Sequence, residues 1–113
     1  MTGFSSTSFV ERWQQFSLME QMGNIGSEVD RAITWRQKGN ALLASKALDR
    51  AIELLDFTIA DPRWRTRGLK ELTRVREVLC DVFMGDNVYN TPPEFLSKYF
   101  YSFAVAARRN NGK

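Results

Sequence analysis

Apolar positions along the chain recur at three- and four-residue intervals almost from end to end, the signature of amphipathic helices. No run of alternating β-branched and aromatic residues bounded by tight turns interrupts them, so no strand is predicted. Phe9, Trp13 and Phe16 open a first stripe, and Met22, Ile25, Val29, Ala32 and Ile33 continue it slightly out of phase around Met19 to Gly26. There "GNIGSEVD" holds two glycines, each about 1 kcal/mol less favourable than alanine inside a helix. Either one long helix bends at Gly23 and Gly26, or it splits there with Ser27 capping the second part. The preferred reading is the bent helix, with the two glycines permitting close approach of a neighbour.

The clearest helix is predicted over residues 41–60. Ala44, Leu48, Ala51, Leu55 and Thr58 form its apolar face, flanked by Ile52 and Ile59, with Asp49, Glu53 and Asp56 opposite. In "DPRW", Asp61 is a capping residue and Pro62 suits a first helical position. The next stripe is Leu69, Leu72, Val75, Leu79 and Phe83, with Val78 and Val82 beside it and Gly85 as a left-handed cap. "TPPEFL" starts the last helix, with Thr91 as cap and Glu94 reaching back. Leu96, Phe100, Phe103 and Ala107 carry that helix to the end.

A tetratricopeptide repeat is the competing account of residues 32–62, because Trp35, Gly39, Ala51 and Leu55 fall at the required separations. It would place its turn near Ser45 and Lys46, inside the unbroken helix formers of "ALLASKALDRAIELL". The alternative places the turn at Gly39-Asn40, where a C-terminal glycine meets an N-capping asparagine. No second copy of the repeat appears, and about three are needed for stability. The pattern therefore predicts an all-α fold, a four-helix up-down-up-down bundle with short links. Residues 1–8 form a polar arm, 9–109 one helical domain and 110–113 a frayed tail.

Composition narrows the chemistry. A chain of 113 residues is the size of one domain and buries roughly two-thirds of its unfolded surface. Histidine is absent and Cys80 is the only cysteine, read as a small buried hydrophobe. Zinc sites, Cys/His nucleophile pairs and Ser-His-Asp triads are therefore excluded, and no cofactor is expected. No signal-peptide pattern opens the chain and no apolar run has membrane-spanning length, so a cytoplasmic protein is expected.

The segments "IGSEVDRAITWRQKGN", "ALDRAIELLDFTIADPRWR", "LKELTRVREVLCDVFMGDN" and "KYFYSFAVAAR" together resemble a family of small, uncharacterised prokaryotic helical-bundle proteins. The resemblance spans residues 22–109 and implies a helical fold. It supplies no activity, cofactor or catalytic residue.

Charge is uneven: residues 1–61 carry a net −2 and residues 62–113 a net +5. Arg63, Arg65, Arg67, Lys70, Arg74 and Arg76 crowd "PRWRTRGLKELTRVR" against Glu71 alone. Cations in a first helical turn oppose the macrodipole, so helix stability does not explain them. A phosphate-bearing or nucleic-acid partner would, gripped by Arg63, Arg65, Arg67, Lys70 and Arg74, with Trp64 stacking on a base or sugar. The plainer account pairs these arginines with Asp49, Glu53 and Asp56 across the bundle.

Two further groupings have functional readings. Glu53 and Asp56, with Glu77 and Asp81, could share magnesium in a nucleotide hydrolase. Pyrophosphohydrolases of the MazG kind resemble this loosely, but their Glu-Glu-x-x-Glu group is absent. Phe95, Tyr99, Tyr101 and Val105 leave the last helix apolar on more than one side, a candidate interface for a homodimer. The expectation is a non-catalytic binding or scaffolding module, with a phosphate or nucleic-acid binder and the magnesium hydrolase as alternatives.

Overall fold

The computed structural model describes residues 9–87 and 90–111. Among them every regular element is helical, and there is no strand. A short helical segment, residues 9–13, leads into α1 (Leu18–Gln37) and α2 (Ala41–Ile59). A 3-10 turn (Pro62–Trp64), α3 (Leu69–Met84) and α4 (Pro93–Asn111) follow. The polar arm expected over residues 1–8 lies outside the described residues, as do Val88, Tyr89 and the last two residues of the expected tail.

The break in the first helical stripe comes earlier than the glycines. Residues 14–17 leave the helix, and α1 restarts behind Ser17 with a complete capping box. The Glu20 amide donates to Ser17 Oγ and the Ser17 amide donates to Glu20 Oε1. "SLME" fits the Ser-x-x-Glu pattern of that motif. Helix α1 then runs unbroken through Gly23 and Gly26, and Ser27 lies inside it rather than capping a second helix. The glycines serve contact instead: a Cβ on Gly26 would stand 2.5 Å from Phe100 Cβ, and one on Gly23 would stand 3.1 Å from Ala104 Cα. Helix α4 therefore lies directly against the α1 backbone.

The turn between α1 and α2 falls at Gly39-Asn40. Gly39 has φ +78°, its amide donates to the Arg36 carbonyl and the Asn40 amide to the Trp35 carbonyl, a Schellman closure. The Asn40 side chain then accepts from the Leu43 amide to start α2, which continues through Ser45 and Lys46. Two other caps differ from expectation. Gly85 is extended (φ −107°, ψ −156°), and the left-handed residues of that connection are Asn87 and Asn90. Helix α4 begins at Pro93, while Thr91 is tied back by the Asn87 side chain through its amide and carbonyl.

Helix α1 is the central element, packed along both α2 and α4, with α3 against α2. The core joins Met22, Ile25, Val29 and Ala32 to Leu48, Ala51, Leu54 and Leu55 of α2. Leu72, Val75, Leu79 and Val82 of α3 and Leu96 and Phe100 of α4 complete it. Trp13 is 3% exposed and belongs to this core, whereas Phe16 lies largely at the surface and Cys80 is half-buried.

One polar cluster is sealed inside. Gln21 and Asp61 are buried, Asp61 only 1% exposed. The Gln21 amide nitrogen donates to the Trp13 carbonyl (2.9 Å) and to Asp61 Oδ2 (3.3 Å). Gln21 Oε1 accepts from Trp64 Nε1 (2.9 Å), and Trp13 Nε1 donates to Thr58 Oγ1 (3.0 Å). Arg63 closes the cluster, gripping Asp61 with Nε and Nη2 and donating from Nη2 to the Phe16 carbonyl. Every buried side-chain polar atom among the described residues has a partner, which removes the penalty of roughly 1–3 kcal/mol for each one left unmade. The cluster ties the segment before α1, the start of α1, the end of α2 and the 3-10 turn into one corner.

Candidate binding face

The basic segment divides in two. Arg63 and Trp64 edge the buried corner from the surface side: Arg63 holds Asp61 and lies 4.5 Å from the centre of the Trp64 ring, whose N–H is committed to Gln21. Both are engaged within the protein, while the Arg63 side chain remains 40% exposed. Burial would raise the Asp61 pKa, but the hydrogen bonds from the Arg63 side chain and backbone and from Gln21 outweigh it, with the arginine charge adding to them. The carboxyl is held below its usual range.

Arg65 and Arg67 sit on the exposed turns after Trp64, and Lys70 and Arg74 on the outer face of α3. No ion pair or side-chain hydrogen bond engages these four among the described residues. Of the pairings expected across the bundle, one forms from this segment: Arg76 bridges to Asp56 at 2.6 Å. Glu53 is taken by Arg50 on its own helix (2.7 Å).

That arrangement engages two of the magnesium candidates with arginines. Glu53 and Asp56 hold arginines at the surface, and among the described residues no group of three acidic or cysteine side chains is placed to share an ion. Glu77 is exposed on α3, and Asp81, one turn on, packs against Gly85. The four carboxylates do not converge.

The four aromatic and aliphatic interface candidates also separate. Phe95 and Tyr99 line a groove of about 190 Å³ between α3 and α4, with Val75, Val78, Leu96, Glu71 and Arg74. Phe95 is 58% exposed there. Tyr99 is half-buried, stacks edge-on against Phe100 and Phe103, and donates its hydroxyl to Glu71. Burial, then that hydrogen bond and the Glu71 charge, push its pKa upward, so the hydroxyl keeps its proton and its donor role. Tyr101, 58% exposed, and the half-buried Val105 lie outside the groove, and Arg108 covers the Tyr101 ring at 5.8 Å.

Residues that periodicity could not single out are Gln21 and Asp61. Gln21 adjoins the apolar Met22 in sequence and looks like a boundary position; its burial follows from the distant Trp13 and Asp61 converging on it. No helix of the described residues is long and apolar enough to cross a membrane. No family model, curated protein or solved structure matches the chain.

Proposed function

We propose that this chain is an up-down-up-down four-helix bundle acting as a non-catalytic binding or scaffolding module, with the face formed by α3 and α4 as its docking surface. The packing of α1 on α2 and α4, and of α2 on α3, supports that topology. The groove holding Phe95 carries the functional reading. It is mostly apolar, it opens to solvent, and the Phe95 ring in its lining is 58% exposed. Exposed aromatics beside a pocket are the side chains that anchor protein interfaces. A crosslinked pull-down with tandem detection of protein and RNA tests the reading by comparing the native chain with Phe95→Glu. Protein species retained by the first and lost by the second, with the far-ultraviolet spectrum unchanged, support it. An identical retained set overturns it.

A second reading rests on the unpaired cations. Arg65, Arg67 and Lys70 form a short basic surface fit for phosphate oxygens, without an aromatic platform since Trp64 is committed. Three backbone contacts to a single strand give a slope of log K against log salt of about −2. Arg65→Ala with Arg67→Ala should bring it to about −0.7. Unchanged binding would exclude this surface.

A further inference from the structure

We infer that the occupant of the α3–α4 face is a second copy of this chain, docked about a two-fold axis so that each Phe95 meets the partner's groove. The inference rests on the docking surface proposed above and names what fills it.

The argument starts from the sign pattern of the charges around the groove. A face made for a polyanion or an acidic peptide would carry one sign. Here the exposed charges alternate: Arg74 and Glu77 stand three apart on α3, and Glu94 and Lys98 four apart on α4. Both spacings suit local pairing, yet none of the four forms an ion pair among the described residues. Their charges are open to something else.

The order of the signs decides what. An isologous contact sets residue i against the partner's residue j and j against the partner's i. With two copies of α3 laid antiparallel, Arg74 faces Glu77 of the second copy and Glu77 faces its Arg74. The centre of that pairing lies between Val75 and Arg76. On α4 the same operation sets Glu94 against Lys98 of the second copy, centred on Leu96. The two centres are at one level in the structure, because Val75 and Leu96 line the same groove. Glu71 meets Tyr99, while Val75 and Val78, further along α3, share the groove with Leu96 and Phe95, further back along α4. The helices therefore run antiparallel, and one axis serves both.

Phe95 lies next to that level and is 58% exposed in the single chain. Pairing the two faces would remove both rings from water, and the groove of each copy supplies Val75, Val78 and Leu96 to receive them. The apolar contact provides the attraction, and the inverted charges set the register and exclude the parallel arrangement, which would oppose like signs.

Light scattering coupled to size exclusion on the purified chain, with a dilution series, tests this. The native chain should elute at about twice its 13.0 kDa mass and dissociate on dilution. Phe95→Glu should be monomeric; the residue is at the surface, so the fold tolerates the change. Arg74→Glu or Glu77→Arg alone should weaken the dimer about tenfold, since each places two like-charge contacts at the interface. Both changes together should restore the native constant to within about twofold, because the pairs are re-formed with reversed sign. A mass near 13.0 kDa at the highest concentration overturns the inference, as does an undiminished dimer in Phe95→Glu or a double swap weaker than either single change. A monomer that still loses captured proteins on Phe95→Glu would overturn self-association and leave the binding module standing.

Discussion

Gly26→Ala is the change whose sign separates helix propensity from tertiary packing. In an isolated helix the added methyl is favourable by about 1 kcal/mol. In this structure it would stand 2.5 Å from Phe100 Cβ and 3.3 Å from its Cγ, where unstrained carbons keep roughly 3.5–4.0 Å. The obstacle cannot swing aside, because a Cβ is fixed to the α4 backbone and the ring is 1% exposed. Relief therefore needs α4 to retreat from α1 by about 1 Å, straining the close pass at Gly23 and the Ser97–Asp30 hydrogen bond. Overpacking of this kind costs about 1–3 kcal/mol, and a weakened surface hydrogen bond up to about 1 more. Against the local gain, the net destabilisation should be about 0–3 kcal/mol, or roughly 4 °C of Tm per kcal/mol at this chain length. Urea unfolding followed at 222 nm, at one protein concentration, measures it. Gly23→Ala, whose nearest contact is 3.1 Å, is the milder control and should fall near zero. Gly39→Ala has open space but φ +78° and should lose about 1 kcal/mol from backbone strain alone. A Gly26→Ala chain more stable than the native one by the full propensity gain of about 1 kcal/mol would refute the close α1–α4 packing.

The buried corner gives the remaining predictions. Trp13→Ala should cost about 3–5 kcal/mol and admit protease at residues 14–17, because the ring anchors the leading segment to the core. Intact residues 14–17 under limited proteolysis would contradict that anchoring. Trp13→Phe should lose less, about 1–2 kcal/mol, since most of the apolar area stays and chiefly the bond to Thr58 goes. Asp61 sets a pH dependence. Its folded pKa lies below the ordinary value of 3.8, so the stability it contributes is complete at neutral pH and disappears as pH falls through the folded value. Asp61→Asn should thus be less stable at pH 7, the gap to the native chain narrowing below about pH 4 in denaturant titrations. A gap that widens with acid would have the wrong sign for a depressed carboxylate.

The local code of this chain was legible where the cause is local. Helix spacing, the Gly39-Asn40 reversal and the two glycines that admit a neighbour all follow from what a few adjacent residues can do. The break before α1 was also written locally, in the "SLME" capping box, but the out-of-phase stripes drew the prediction to the glycines instead. Gly85 departs from its expected left-handed conformation for another reason: two asparagines in the same connection take the conformation that a C-terminal glycine usually supplies.

Only the tertiary structure decided what the charged and polar side chains do. The sequence places Arg63 and Trp64 in the same basic run as Arg65 and Arg67. Folding engages the first pair with Asp61 and Gln21, although Arg63 stays at the surface, and leaves the second pair without a partner among the described residues. Gln21 lies 40 positions from Asp61, and no periodicity links them; burial of one demands the other because an unmade hydrogen bond inside the core is expensive. Phe95 and Tyr99 likewise look equivalent along α4, but the Tyr99 hydroxyl finds Glu71 while the Phe95 ring stays 58% exposed at the groove. Backbone preferences act between near neighbours and are readable in one dimension. Partnership of polar groups is settled by which distant surfaces the apolar core brings together.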